Sequence, residues 1–169
     1  MHVSTGPGRV SLGGGRRYAS GNPNQTNVES GKAKEMESFK GTIGILTGGG
    51  DVPGLNPAIR AITIRAIREG FRVMGIRRGW AGLVDLLPDK DADNSANFQM
   101  LSEDLVNRAG RTGGTVLHSS RTRPSHLPLG EVPPHLADSY AQEVNDLTPE
   151  VLKNLEFLGI DYLIPIGGD

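Results

Sequence analysis

Apolar residues cluster in short runs separated by glycine-rich or polar stretches from residue 41 onward. Residues 42–46, TIGIL, form a β-branched and aliphatic run of the kind found in a buried parallel strand. The turn TGGGDVPG follows, and then NPAIRAITIRAIREG. There Asn56 is placed to cap a helix and Pro57 to occupy its first position. Ile59, Ile62, Ala66 and Ile67 fall on one helical face, while Arg60, Arg65, Arg68 and Glu69 fall largely elsewhere. Gly70 is a C′ stop, and FRVMGI at 71–76 predicts the next strand. Strand, glycine loop, helix and strand within about 35 residues make a βαβ unit.

Beyond it the pattern weakens. RRGWAGL predicts a turn and LVDLLPDKDADNSANFQML a polar connection. Ser102 caps a short helix, EDLVNRAG, whose first turn carries Glu103 and Asp104. GRTGGTVLHSSRTRP predicts a loop, a short extended piece and another loop, and the proline-rich residues 124–147 predict a surface excursion. Thr148 is placed to cap PEVLKNLEFLG, with Pro149 at its first position, a stripe of Val151, Leu152, Leu155 and Leu158 facing inward, and Gly159 closing it. DYLIPI at 161–166 predicts a strand in which Pro165 argues for an edge or an end. The fold class expected is α/β: a parallel-sheet, Rossmann-like three-layer domain, incomplete at its C-terminal end, because Gly167, Gly168 and Asp169 open a ligand loop where the chain stops.

Composition changes this picture at the N-terminus. Residues 1–40 are rich in glycine and serine and poor in aliphatic side chains, so they predict a disordered tail preceding a partial domain at 41–169. A transit peptide is the rival reading, since Arg9, Arg16 and Arg17 precede the first acidic residue, Glu29. The net charge of -1 gives no basic excess for nucleic acid, and no apolar run is long enough for a membrane span. Without cysteine there is no disulfide, thiolate nucleophile or thiolate metal site, and the expected location is the cytoplasm. His2, His118, His126 and His135 lack metal-site spacing.

Three segments carry chemistry. Gly48, Gly49, Gly50, Asp51 and Gly54 follow the first strand and precede a helix, an arrangement that suits an anion; the plain alternative is a tight turn with Asp51 capping locally. Neither G-x-G-x-x-G nor a Walker A sequence is present. Arg121, with Arg123 beside it, suits bidentate phosphate contact, against the alternative of a solvated arginine. Asp169, after a strand and a glycine pair, suits Mg²⁺ held through water and phosphates, against a plain surface aspartate.

In order and spacing, GTIGILTGGGDVPGLNPAIRAI, GFRVMGIRRGWAGL, GRTGGTVLHSSRTRP and LGIDYLIPIGGD resemble the 6-phosphofructokinase family over residues 42–169. The resemblance implies a glycolytic transfer of phosphoryl from ATP, or alternatively pyrophosphate, to the 1-hydroxyl of fructose 6-phosphate with Mg²⁺, by a homo-oligomeric parent enzyme. It implies donor-phosphate contact at Gly50, and contact with the transferred phosphoryl region by Arg121 as the catalytic residue. It further implies nucleotide contact at Thr122, an aromatic wall of the donor pocket at Trp80, and Gly168 and Asp169 in the donor site with Asp169 on the metal. Trp80 reads equally as a packing residue under the glycine turn, and His118 has no role. The family's Thr-x-Asp-x-Asp segment, with its aspartate base, and the residues that hold the sugar phosphate are absent, so the chain alone is expected to be inactive and marginally stable. The residue that separates ATP from pyrophosphate users falls just after Asp169, and SSRTRP resembles pyrophosphate-dependent members. A non-catalytic phosphate-binding remnant is the second reading. A Rossmann dehydrogenase is the third, and Arg77 and Arg78 oppose it where an acidic residue belongs.

Overall fold

The computed structural model describes residues 39–50 and 52–167. Apart from Phe39 and Lys40, the proposed tail therefore lies outside the described residues, as do Asp51, Gly168 and Asp169. Phe39 and Lys40 are attached to the domain: the Lys40 N–H donates to the Gly70 carbonyl (2.8 Å), and the Arg72 guanidinium lies 5.7 Å from the centre of the Phe39 ring.

Strands β1 (Thr42–Thr47), β2 (Arg72–Ile76), β3 (Phe98–Met100) and β6 (Tyr162–Ile166) form one sheet in the order β3-β2-β1-β6. β1 pairs in parallel with β2 and β6, and β3 runs antiparallel along the β2 edge. Pro165 sits opposite Leu46 in β6, an edge strand of the described sheet as its sequence predicts. Helices α1 (Leu55–Arg68), α2 (Trp80–Val84), α3 (Glu103–Ala109) and α4 (Thr148–Phe157) complete the layers. Two-residue strands β4 (Leu127–Pro128) and β5 (Val144–Asn145) make a separate antiparallel pair.

The two-residue period of the strands divides the core. Ile45 and Val73 pack with Ile59 and Ala66 of α1, Val106 of α3, and Leu117 on one side of the sheet. Leu46, Met74 and Ile76 pack with Leu83, Val84 and Val151 on the other, where α2 and α4 lie. Helices thus cover both faces, giving the three layers expected of a mostly parallel sheet.

Several local expectations change. Asn56 does not cap α1: the helix starts at Leu55 behind Gly54, whose φ of 103° suits glycine, and Asn56 is buried inside the first turn. Thr148 lies inside α4 after Leu147, and its N–H donates to Asp146 Oδ1 (2.9 Å). Leu152 is exposed; the buried, inward position is Asn154, whose Nδ2 donates to the Leu83 carbonyl (2.8 Å). The turn expected at 77–83 holds most of α2, and the polar connection at 83–101 contains β3. Residues 124–147 are more than an excursion, because Leu127 and Leu147 are fully buried and join the α2–α4 side of the core. Ser102 caps α3 as predicted, accepting from the Leu105 N–H (3.3 Å). Gly70 (φ 87°) and Gly159 (φ 62°) follow α1 and α4 as expected.

Candidate active site: a cleft at the carboxyl ends of β1 and β6

β1 feeds into Gly48 and Gly49, which are held from two sides. The Gly48 N–H donates to the Ile166 carbonyl at the end of β6, and the Gly49 N–H donates to the Ser120 carbonyl, both at 3.0 Å. Gly48 and Ser120 also form an isolated parallel bridge. The ends of two strands and the loop at 118–123 therefore converge. A cleft of about 450 Å³ opens there, bounded by Gly48, Gly49, Trp80, Arg121, Thr122 and Arg123.

The loop is fixed from beneath. Thr47 is fully buried; its hydroxyl donates to the His118 carbonyl (2.7 Å) and lies 3.0 Å from the Thr115 hydroxyl, which donates to it since the Thr47 proton is already committed. The Arg78 N–H donates to the Leu117 carbonyl (2.7 Å) from a left-handed conformation (φ 59°). The Arg78 side chain is held by Asp85 (2.9 Å) and Asn97 (2.6 Å), which offsets the local strain. Asn56 holds the upstream half of the loop: Oδ1 accepts from the Val116 N–H (2.7 Å), and Nδ2 donates to the Thr112 carbonyl (3.2 Å). Gly79 lets α2 approach, since a Cβ there would lie 2.6 Å from the Thr47 carbonyl oxygen. That approach brings Trp80, half-buried against the α2–α4 core, to the cleft wall.

Chemically the cleft is an anion receptor. Arg121 and Arg123 bring two guanidinium groups, Ser120 and Thr122 bring hydroxyls, and among the described residues that bound it there is no carboxylate. Among the described residues no group of three or more histidine or acidic side chains converges on a metal position. No helix among them is long and apolar enough to cross a membrane.

The phosphofructokinase family model matches residues 42–169. The chain belongs to the phosphofructokinase family. It is 39% identical over 127 residues to the pyrophosphate–fructose 6-phosphate 1-phosphotransferase of Dictyoglomus thermophilum, a match covering 75% of this chain and 29% of that one. It is 41% identical over 132 residues to the ATP-dependent 6-phosphofructokinase of Lactobacillus gasseri, covering 75% and 31%. The crystal structure of Pichia pastoris phosphofructokinase in the T-state aligns with a TM-score of 0.57 at 28% identity, covering 79% of this chain and 12% of that one. The chain thus spans about 30% of the length of the curated relatives it matches.

Within this phosphofructokinase chain, three of the residues singled out in the sequence, Trp80, Arg121 and Thr122, meet in one cleft. Gly50 is exposed and is not among the residues bounding it, whereas Gly48 and Gly49 are. Gly168 and Asp169 lie outside the described residues. His118 is exposed and contributes its backbone carbonyl. Trp80 packs against the core on the α2–α4 side and also lines the cleft. Thr47 and Asn56, which fix the loop, carry no sequence signal apart from being polar residues in apolar surroundings.

Proposed function

We propose that this chain forms the phosphoryl-donor site of a cytoplasmic, homo-oligomeric 6-phosphofructokinase, which transfers phosphoryl from ATP to the 1-hydroxyl of fructose 6-phosphate. One observation carries the reading: Arg121, Thr122, Arg123 and the Gly48–Gly49 backbone bound one cleft, and its described lining brings two guanidinium groups and no carboxylate. Such a site matches the charge of a polyphosphate and its transferred group.

In this reading Arg121 stabilises negative charge on the phosphoryl in flight, and Thr122 and Trp80 seat the rest of the donor. Gly50 and Gly168, lacking side chains, would let phosphate oxygens approach the backbone. The described residues suit phosphate rather than a metal on its own; Mg²⁺ would be held by Asp169 together with the donor's own phosphates. When bound there, it neutralises charge on the phosphate oxygens. Positioning both partners supplies most of the rate in phosphoryl transfer, and the sequence contains no Thr-x-Asp-x-Asp base segment. This chain alone therefore binds donor without turnover.

Pyrophosphate is the alternative donor, favoured by the 39% identity to a relative named for pyrophosphate. A phosphate-binding remnant without a catalytic parent is the other reading. Trp80 is the single tryptophan of the chain, so its fluorescence reports on the cleft directly. Titration with MgATP and with magnesium pyrophosphate is expected to give a saturable change, tighter for the true donor, and Arg121→Ala to weaken it about tenfold or more. Absence of a saturable change with either ligand refutes the donor site.

A further inference from the structure

Six arginines of the described domain already have side-chain partners. Arg60 donates to Asn107, Arg72 to Thr42, Arg77 to Gln99 and Arg78 to Asp85, while Arg65 and Arg68 face Glu69 and Glu103. Arg121 and Arg123 make no such contact among the described residues, and both bound the cleft. Arg108 and Arg111, which also lack a side-chain partner among the described residues, line other hollows beside α3.

The backbone at the pair is fixed although the side chains are not. Ser120 is tied to Gly49, and its Oγ accepts from the Thr122 N–H (3.4 Å). Pro124 disfavours helical geometry at Arg123, which is extended (φ −111°, ψ 99°). The Arg123 carbonyl accepts from the His126 N–H (2.9 Å), and the Pro124 carbonyl accepts from the N–H of the fully buried Leu147 (2.7 Å). Arg121 and Arg123, two positions apart on this anchored loop, both border the cleft. Two guanidinium groups therefore face one cleft from anchored positions. Two cations without an acidic partner among the described residues match the charge of a di- or triphosphate better than that of a monophosphate.

We infer that Arg123 is a second phosphate-binding residue of the cleft, and that together with Arg121 it selects ligands carrying a di- or triphosphate over monophosphates. The inference rests on the donor-site reading above. It also gives the 124–147 segment a task, since the Pro124–Leu147 hydrogen bond anchors the backbone from which Arg123 reaches.

The test is Trp80 fluorescence titration of the whole chain with pyrophosphate, ATP, orthophosphate and AMP, in the wild type and in Arg123→Ala and Arg123→Lys. Arg123→Ala is expected to weaken pyrophosphate and ATP about tenfold while changing orthophosphate and AMP by less than about twofold. Arg123→Lys recovers part of the loss, since it restores charge without the planar fork. Arg123 is exposed, so thermal melts of both variants should overlay the wild type and exclude a folding artefact. If the wild type binds pyrophosphate and ATP but Arg123→Ala binds them equally well, the role of Arg123 is refuted and the donor site stands. Equal weakening of all four ligands also overturns it, because that is the signature of a diffuse field. If the wild type binds none of them, the donor site itself fails.

Discussion

Asn56→Ala removes the side chain that ties the first turn of α1 to the loop leading to Arg121. Asn56 is 2% exposed, and its Oδ1 is held 2.7 Å from the Val116 N–H. Its Nδ2 contacts with the Thr112 and Gly113 carbonyls are longer, at 3.2 and 3.4 Å. Leaving a buried amide without an acceptor costs about 1–3 kcal/mol, and each lost donor roughly 0.5–1.5 kcal/mol. Val116 is only half-buried, so water reaching the vacated space reduces the penalty to about 2 kcal/mol in total. For a domain of this size that lowers the melting temperature by roughly 8 °C. Circular-dichroism melts measure the shift, and Trp80 titration with donor measures the accompanying loss of affinity as the loop loosens. Asn56→Asp separates geometry from bonding. The new carboxylate keeps the Val116 bond but faces two carbonyls, so its proton is held more tightly in the folded state. Stability relative to wild type is then best at acid pH and declines as pH rises through that elevated pKa. A melting temperature for Asn56→Ala within about 2 °C of wild type, with donor affinity unchanged, refutes the bracing role.

Other positions give sharper or opposite outcomes. Gly79→Ala combines a φ of 58° with a Cβ position 2.6 Å from the Thr47 carbonyl oxygen; both sides are backbone, so a loss of about 3 kcal/mol or more is expected in chemical denaturation. Leu152→Lys is expected to change stability by less than about 0.5 kcal/mol, whereas Asn154→Ala on the opposite face of the helix costs about 1–3 kcal/mol by leaving the Leu83 carbonyl unpaired. Glu150 has its pKa lowered chiefly by the Lys153 hydrogen bond, with Tyr140 adding to it. A lowered carboxyl pKa stabilises the fold above the ordinary value of 4.5, and the contribution disappears as pH falls through the folded-state value. Glu150→Gln should therefore melt below wild type at pH 7 and converge with it in acid.

The elements best legible in the sequence were those whose periodicity is local. TIGIL, the α1 stripe and FRVMGI carry their burial in their own spacing, and the sheet confirms each, with Ile45 and Leu46 serving opposite faces. β3 was not legible because three residues, FQM, flanked by polar sequence have no period to detect; the strand exists because Arg77 and β2 offer it an edge. Leu152 was misplaced because Asn154, a polar residue, takes the inward position by satisfying the carbonyl end of α2, and hydrophobicity alone cannot anticipate that. In the same way Asn56 looked like a cap from its type and place. Gly54, able to adopt φ of 103°, starts the helix instead and frees Asn56 for a tertiary role. At the site, Trp80 and Thr122 were identified through resemblance and the Arg121–Arg123 pair from the residues themselves, while Thr47 emerges only from which atoms face each other.

The position of the cleft follows from the strand order. The chain leaves β1 for β2 on one side, and β6 takes the other side of β1. The connection leaving β1 thus runs away from β6, and among the described residues the crevice beside their carboxyl ends is not covered by it. Filling it requires a segment that reaches back from elsewhere. The loop at 118–123 does so, pinned at Ser120 by Gly49 and at His118 by Thr47. Both anchors come from the strand end itself, so phosphate-binding side chains and phosphate-binding backbone are held in one frame. Thr47 is the hinge of this arrangement. Replacing it by valine keeps the volume but leaves the His118 carbonyl and the Thr115 hydroxyl without their partner. The expected cost is about 1–3 kcal/mol of stability, together with a donor affinity that falls in both the wild-type and Arg121→Ala backgrounds. Unchanged donor binding in a destabilised Thr47→Val variant would show that the loop is held by its own turn geometry, and the shared frame would then be wrong.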